Sequence, residues 1–126
     1  MDDERVWAFE ESLWTVTPEH YRDSIDEHCL MALPSEPHLL EGRAAMDAVI
    51  HTPRWTNVAL TARHVARPQE GIIVVAYTAH AERAHPEHGG AQPYLAYCTS
   101  TYRRLEHEVW KVIQHSQTPP LVSGQA

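Results

Sequence analysis

The sequence predicts an α+β domain in which three N-terminal helices pack in a strongly curved, mainly antiparallel sheet. In the first fifty residues, apolar side chains recur at the three-to-four-residue spacing that is typical of amphipathic helices. From residue 54 onward the chain changes to long β-branched and aromatic runs separated by short polar turns, which indicates an antiparallel meander. A chain whose helices come first and whose strands follow has the order of an α+β domain. We expect the sheet to curl around the helices.

Length and charge limit the classes of protein that this chain represents. Its 126 residues are enough for one core, so we predict one domain over residues 1–119 and a flexible tail over residues 120–126. The formal charge of −7 argues against a nucleic-acid partner, because phosphate contacts need a concentrated basic surface. The longest apolar run, Gly71 to Tyr77, is too short to cross a membrane. No secretory signal opens the chain, so the default expectation is a cytoplasmic location.

Three helices and one short strand are predicted in the first half. The first helix covers residues 2–16, with acidic residues at its start. Thr17 and Pro18 form an N-cap followed by proline at the first helical position, so a second helix begins there and ends near Asp26. A short apolar strand follows over residues 29–33. The third helix covers residues 42–50.

Long strands are predicted in the second half. They cover residues 55–66 and 71–83, followed by a hairpin over residues 94–119. The hairpin turn is taken as symmetric about His107, and side chains alternate between the two faces of each strand. A register change of one residue would exchange the partners. One face resembles a pocket wall and carries Cys98, Ser100, Tyr102, Trp110, Val112 and Gln114. The other face is wetter and carries Thr99, Thr101, Arg103, Lys111, Ile113 and His115.

A concave sheet lined by aromatic residues favours an internal ligand cavity. The candidate ligand-binding residues are Trp14, Trp55, Tyr77, Cys98, Ser100, Tyr102, Trp110 and Gln114. Purely structural roles stay open for all of them, because buried tyrosines often bond to the backbone and indoles often simply fill a core.

Three residues are candidates for acid or base chemistry. His115 titrates near neutral pH, Tyr102 offers a hydroxyl, and Asp26 would become a base if burial raised its pKa. The alternatives are a structural hydrogen bond for His115 near the sheet edge and a solvated helix end for Asp26. We predict no metal site and no cofactor. The histidines and glutamates nearest to one another in sequence lie largely on a glycine-rich loop, without a helix to fix a ligand geometry: His80, Glu82, His85, Glu87 and His88.

Several segments carry a resemblance to a known family. They are Glu11–Trp14, Gly42–Met46, Arg54–Trp55, Tyr77–Arg83, Tyr94, Thr99–Tyr102 and the closing Trp110–Pro119. Over about residues 4–119 the chain resembles the nuclear transport factor 2-like superfamily, and more narrowly its SnoaL-like and domain-of-unknown-function members. The resemblance implies a cystatin-like, cone-shaped α+β barrel that forms a homodimer through the outer face of its sheet. The family includes isomerases, cyclases, dehydratases, hydrolases and proteins without known activity.

One functional position of the family can be compared with this sequence. Members that resemble ketosteroid isomerase place a carboxylate base at the end of the first strand, and the matching position lies near Leu33, where this chain has no carboxylate. We therefore predict a protein that binds a small apolar molecule in a cone cavity and has no assigned reaction. The alternatives are a cofactor-independent isomerase, cyclase or dehydratase, and a structural dimer or partner-binding subunit whose cavity is filled.

Overall fold

The computed structural model describes residues 1–48, 55–84 and 90–121. It confirms the α+β class, with helices packed against one six-stranded, curved sheet. The helices are α1 (Asp3–Thr15), α2 (Pro18–Ser24) and α3 (Arg43–Ala48). The strands are β1 (Ile25–Ala32), β2 (Leu39–Glu41), β3 (Thr56–Gln69), β4 (Ile72–Ala84), β5 (Ala91–Glu106) and β6 (Val109–Thr118).

The sheet is mixed and follows the order β2-β1-β6-β5-β4-β3. Strands β3 to β6 form the predicted antiparallel meander, and β1 joins β6 in parallel. Strand β2 was not predicted, because three residues after a proline-rich segment carry too little pattern. Strand β3 also passes through Pro68 instead of ending at Ala66. As an edge strand it tolerates a residue without a backbone N–H.

The cap of α2 agrees with the sequence, α1 begins one residue later than predicted with Asp2 as its N-cap, and β1 begins earlier than predicted. The Asp2 side chain accepts a bond from the backbone N–H of Arg5 at 2.9 Å, and Thr17 caps α2 as predicted. Helix α2 ends at Ser24, and β1 begins at Ile25 rather than at residue 29. Three consecutive polar residues hide the first part of this strand in the sequence. The predicted end of the third helix, residues 49 and 50, lies outside the described residues.

The core lies between α1 and the concave face of the sheet. Helix α1 buries Val6, Leu13 and Trp14, and β4 contributes an inward row that includes Ile73 and Val75. Within the described residues, no helix has the length and apolar composition needed to span a membrane.

The β5–β6 hairpin follows the predicted register only from Tyr102 to Arg104, because the pair next to the turn, Glu106 with Val109, is already shifted by one residue. Tyr102 pairs with Val112, as symmetry about His107 requires, but Ser100 pairs with His115. An irregularity at Ile113 inserts one extra residue into β6, and a bulge of this kind reverses the alternation of side chains beyond it. Gln114 therefore lies on the outer face and His115 on the inner one. The predicted faces of these two residues were wrong, whereas Cys98, Ser100, Tyr102, Trp110 and Val112 are buried together as predicted.

Candidate functional site

A cavity of about 540 Å³ lies between the helices, the start of the sheet and strand β6. Its walls are mainly aliphatic and aromatic, and its polar groups come from a few positions. The apolar lining residues include Leu13, Trp14, Tyr21, Ile25, Met31, Leu33, Leu40, Trp55, Tyr94 and Val112, and the polar or charged ones include Arg83, His115 and Gln117.

Aromatic rings form one wall of this cavity. The rings of Trp55 and Tyr94 are stacked, with centroids 4.8 Å apart and planes 20° from parallel. Trp14 lies 5.8 Å from Trp55, and the backbone N–H of Trp55 donates to the carbonyl of Trp14 at 3.2 Å. The guanidinium carbon of Arg83 lies 4.0 Å from the centroid of the Trp55 ring. This wall therefore joins α1, β4 and β5 through one aromatic cluster.

Where β6 meets the cavity, the wall is polar and consists of a chain of hydrogen-bonded side chains. The Tyr94 hydroxyl donates to Gln117 Oε1 at 2.9 Å, and Gln117 Nε2 lies 3.0 Å from His115 Nε2. On the far side of the imidazole, His115 Nδ1 lies 2.7 Å from Ser100 Oγ. His115 thus has hydrogen-bond partners on both ring nitrogens while it lines the cavity.

Behind His115 lies a fully buried carboxylate, Glu10 of α1. It accepts hydrogen bonds from the hydroxyls of Tyr77, Ser100 and Tyr102, the Ser100 bond being 2.6 Å long. Because a buried carboxylate needs partners for its oxygens, these three hydroxyls explain how the core accommodates it. Glu10 also lies 3.8 Å from His115 Nδ1, so it stands close behind the imidazole.

Donor and acceptor matching fixes the proton positions in this network. The Ser100 hydroxyl has one proton, and it goes to the Glu10 carboxylate. His115 Nδ1 must then carry a proton and donate it to Ser100 Oγ. In the neutral ring Nε2 is an acceptor, and it receives a bond from the Gln117 amide. We assign the Nδ1–H tautomer to His115 from this matching.

The pKa directions agree with that assignment. Burial lowers the pKa of His115, although the nearby Glu10 charge and a backbone hydrogen bond with Thr99 act in the opposite direction. Burial and the Glu10 charge raise the pKa values of Tyr77 and Tyr102 well above their usual range. At neutral pH the imidazole is therefore neutral and both tyrosines keep their protons.

The structure separates the predicted ligand-binding residues into lining and supporting positions. Trp14 and Trp55 line the cavity. Tyr77, Ser100 and Tyr102 lie behind the wall, where their hydroxyls hold Glu10.

The other three predicted residues lie apart from the cavity lining. Cys98 is a buried free thiol whose pKa burial raises to about 12. Trp110 is buried near the hairpin turn, 5.8 Å from the Arg104 guanidinium, and Gln114 bonds to Thr99 and Thr101 on the outer face.

Of the three catalytic candidates, His115 lines the cavity and Tyr102 supports it, whereas Asp26 lies elsewhere. Asp26 is not at a solvated helix end: it is buried in β1, 2.6 Å from the Arg103 guanidinium. Burial acts to raise its pKa, but the His28 backbone N–H and Arg103 outweigh burial and lower it. A raised pKa, which the hypothesis of a base at Asp26 required, is therefore not found.

Two residues of the site were missed in the sequence. Glu10 was detectable, because it occupies the buried stripe of α1 together with Val6 and Trp14 at four-residue spacing. Arg83 was also detectable, as the last inward position of β4.

Of the loop residues considered for metal binding, His85, Glu87 and His88 lie outside the described residues. In the part of the chain that the structure describes, no group of three potential metal ligands is found.

Comparison with known proteins shows which solved structures share this fold. No protein-family model and no curated protein match the sequence. Among solved structures, a nuclear transport factor 2-like protein of unknown function in nutrient uptake from Rhodospirillum rubrum has a TM-score of 0.75 at 14% identity, covering 95% of this chain and 100% of its own.

Two further structures show the breadth of this fold. A Parabacteroides distasonis protein with a provisional ketosteroid isomerase assignment has a TM-score of 0.73 at 18% identity, covering 96% of this chain and 87% of its own. The CaMKII hub homology domain of Chlamydomonas reinhardtii has a TM-score of 0.71 at 15% identity, covering 94% of each chain. The resemblance predicted from the sequence is thus confirmed at the level of architecture, and the chain has the fold of the nuclear transport factor 2-like proteins.

Proposed function

We propose that this protein binds a small, largely apolar molecule inside the cone, with one polar group of the ligand directed at His115 and Gln117. The observation that supports this most directly is the open cavity of about 540 Å³. Ligand sites in proteins commonly have volumes of about 300–1,000 Å³, apolar walls and a few placed polar groups. A collapsed interior, which a purely structural subunit would have, does not agree with this cavity.

Gln117 is the residue best suited to orient the ligand. Its carbonyl oxygen accepts from Tyr94, and one N–H of its amide is directed at His115 Nε2. A primary amide has a second N–H, for which no partner is found among the described residues. A ligand carbonyl, ether or hydroxyl oxygen at the polar end of the cavity would accept from it. The apolar walls would then enclose the rest of the molecule.

Binding is tested with N-phenyl-1-naphthylamine, a neutral apolar dye that fluoresces when it leaves water. Ala44 lines the cavity and is exposed, so Ala44→Phe narrows the cavity without entering the core. Ala8→Phe places the same side chain on an exposed helical position away from the cavity and serves as the control. We expect saturable binding to the wild type and to Ala8→Phe, and about tenfold weaker binding to Ala44→Phe. Equal affinities in all three proteins would exclude this cavity as the binding site.

A second candidate function is cofactor-independent acid–base catalysis of the isomerase, cyclase or dehydratase type. The neutral His115 ring at the cavity wall supports it, because Ser100 and Glu10 hold the imidazole from behind. Nε2, which carries no proton in this tautomer, would accept a proton from one carbon of the substrate and return it to another, after Gln117 moves aside. Leu33 lines the cavity at the position where the family resemblance implies a carboxylate base, so this route differs from carboxylate-based proton abstraction.

A β,γ-unsaturated 3-ketosteroid tests the catalytic candidate, since proton transfer would convert it into a conjugated enone that absorbs in the ultraviolet. Activity that is lost in His115→Gln but retained in Gln114→Ala would support catalysis through His115. Conversion at the buffer rate by the wild type would reject isomerase activity on this substrate class and leave binding as the proposed function.

A homodimer through the outer face of the sheet is also proposed. Small side chains on that face would allow close approach of a second copy, and they include Ala76 of β4 and Thr99 and Ser116 of the hairpin. Some proteins with this fold are described as association domains. Light scattering should give a dimer for the wild type and Ala8→Arg, and a monomer for Ala76→Arg.

A cytoplasmic location stays a prediction, with which the free thiols of Cys29 and Cys98 are consistent.

A further inference from the structure

We infer that the ligand carries a carboxylate, which pairs with Arg83 at the wall of the cavity. This inference rests on the binding function proposed above and specifies the chemical class of the ligand. It comes from the position of Arg83, from the absence of a carboxylate paired with it in the described residues, and from its packing on Trp55.

Arg83 ends the inward row of β4. Inward positions along this strand are occupied by Ile73, Val75, Tyr77, Ala79 and Ala81, all of them buried. Arg83 continues the same alternation and lines the cavity, half-buried. A cation at the end of an otherwise apolar row is costly to desolvate unless a partner neutralises it.

No such partner is found for Arg83 among the residues that the structure describes. Two carboxylates share the cavity lining with it, Asp47 and Glu36. Asp47 lies 3.6 Å from the Arg22 guanidinium, and Glu36 is exposed. Neither lies within ion-pair distance of Arg83. His115, the other basic group of the lining, is held neutral by burial, which lowers its pKa. Arg83 is therefore the uncompensated positive charge of the described cavity wall.

Trp55 holds the guanidinium in a defined position. Its ring lies 4.0 Å from the guanidinium carbon, within the range of a cation–π contact. The contact places the guanidinium carbon over the indole, and no hydrogen-bond acceptor for the guanidinium N–H groups is found among the described residues. Two parallel N–H donors fit a carboxylate, and charge-assisted bonds of this type are strong and specific. A ligand ammonium group would instead have to displace Arg83 from the indole.

The occupant that fits these features is a monocarboxylate with an aryl or alkyl body. The body would contact the apolar walls formed by residues such as Leu13, Met31 and Leu40. The protein has a formal charge of −7, so long-range electrostatics do not favour an anion. Any preference for a carboxylate must therefore come from a local contact, and this makes the inference testable with one substitution.

The experiment compares 3-phenylpropanoate with 3-phenylpropan-1-ol by isothermal titration calorimetry at neutral pH. The two probes share their apolar body and differ in charge. Arg83→Met removes the charge and keeps an unbranched apolar side chain. Arg67→Met is the control, because Arg67 is an exposed cation paired with Asp3 on the surface. We expect the wild type and Arg67→Met to bind the carboxylate about tenfold more tightly than the alcohol, and Arg83→Met to lose that preference.

The outcomes separate this inference from the function on which it rests. Equal binding of both probes by the wild type, or a preference for the carboxylate that persists in Arg83→Met, would overturn the inference and leave the binding function standing. A wild type that binds neither these probes nor the naphthylamine dye would overturn both. If thermal melting shows that Arg83→Met does not fold, Arg83→Gln replaces it in the same comparison.

Discussion

The Ser100 hydroxyl lies 2.6 Å from the Glu10 carboxylate, which joins the first helix to the β5–β6 hairpin in the centre of the core. Through Ser100, Glu10 also controls the orientation of His115, because the same hydroxyl oxygen accepts from the imidazole at 2.7 Å. An unpaired buried acid would destabilise an apolar core. The hydrogen-bonded Glu10 instead holds α1 against the sheet and sets the tautomer of His115.

Replacing Glu10 should destabilise the fold strongly. Glu10→Ala leaves the hydroxyls of Tyr77, Ser100 and Tyr102 without their acceptor inside the core. We expect a loss of about 3 kcal/mol or more in the free energy of unfolding, measured with urea, because each of the three unsatisfied buried hydroxyls costs about 1–3 kcal/mol. Glu11→Ala is the matched control, since Glu11 is the exposed neighbour on the same helix and should change stability by less than about 0.5 kcal/mol. Similar losses in the two variants would contradict a structural role for this carboxylate.

Removal of one hydroxyl should have a smaller effect. Tyr102→Phe deletes the donor to Glu10 Oε1 but keeps the ring, which packs edge-to-face on Phe9 at 5.3 Å. We expect a loss of about 1–2 kcal/mol in the free energy of unfolding, with little change in dye affinity because Tyr102 lies behind the cavity wall. Tyr97→Phe, at a half-exposed position on the outer face, should be nearly neutral. A large loss of dye affinity in Tyr102→Phe at unchanged stability would place this residue at the ligand instead.

Acid should weaken the fold through His115. Its pKa is lowered in the folded state by burial, while in the unfolded chain it stays near 6.5. Below pH 6.5 the unfolded chain therefore takes up a proton that the folded protein resists, so the free energy of unfolding decreases as the pH falls toward the lowered pKa.

The measurement that isolates His115 is thermal melting of the wild type and His115→Gln between pH 7.5 and 5. Both proteins contain the other nine histidines, so the difference between the two pH profiles reports on His115. The wild type should lose more stability on acidification than the variant. Parallel profiles would mean that the ring is protonated without penalty in the folded state.

The sequence predicts the architecture well because periodicity and turn chemistry are local. Thr17 caps its helix as predicted, and the pairs from Arg104–Trp110 to Tyr102–Val112 have the register predicted from symmetry about His107. The site was predicted less well because it depends on features without a local signal. The bulge at Ile113 reverses the faces of Gln114 and His115. The partners of Glu10 are separated from it by 67 to 92 residues along the chain, so only folding brings them together.

The reversed alternation of β6 places Gln114 and Gln117 on opposite faces of the sheet. Gln117 follows His115 on the inner face of β6 and lines the cavity, whereas Gln114 bonds to Thr99 and Thr101 on the outer face. Gln117→Ala removes the amide that links Tyr94 to His115 and that has a second N–H for the ligand. It should weaken binding of 3-phenylpropan-1-ol, whose hydroxyl oxygen can accept from that N–H, about threefold to tenfold, as expected for the loss of one hydrogen bond. Gln114→Ala is the same change three residues earlier and should leave the affinity for this alcohol unchanged. If Gln114→Ala weakened binding and Gln117→Ala did not, β6 would have the uninterrupted alternation expected from the sequence, and the cavity would have a different polar end.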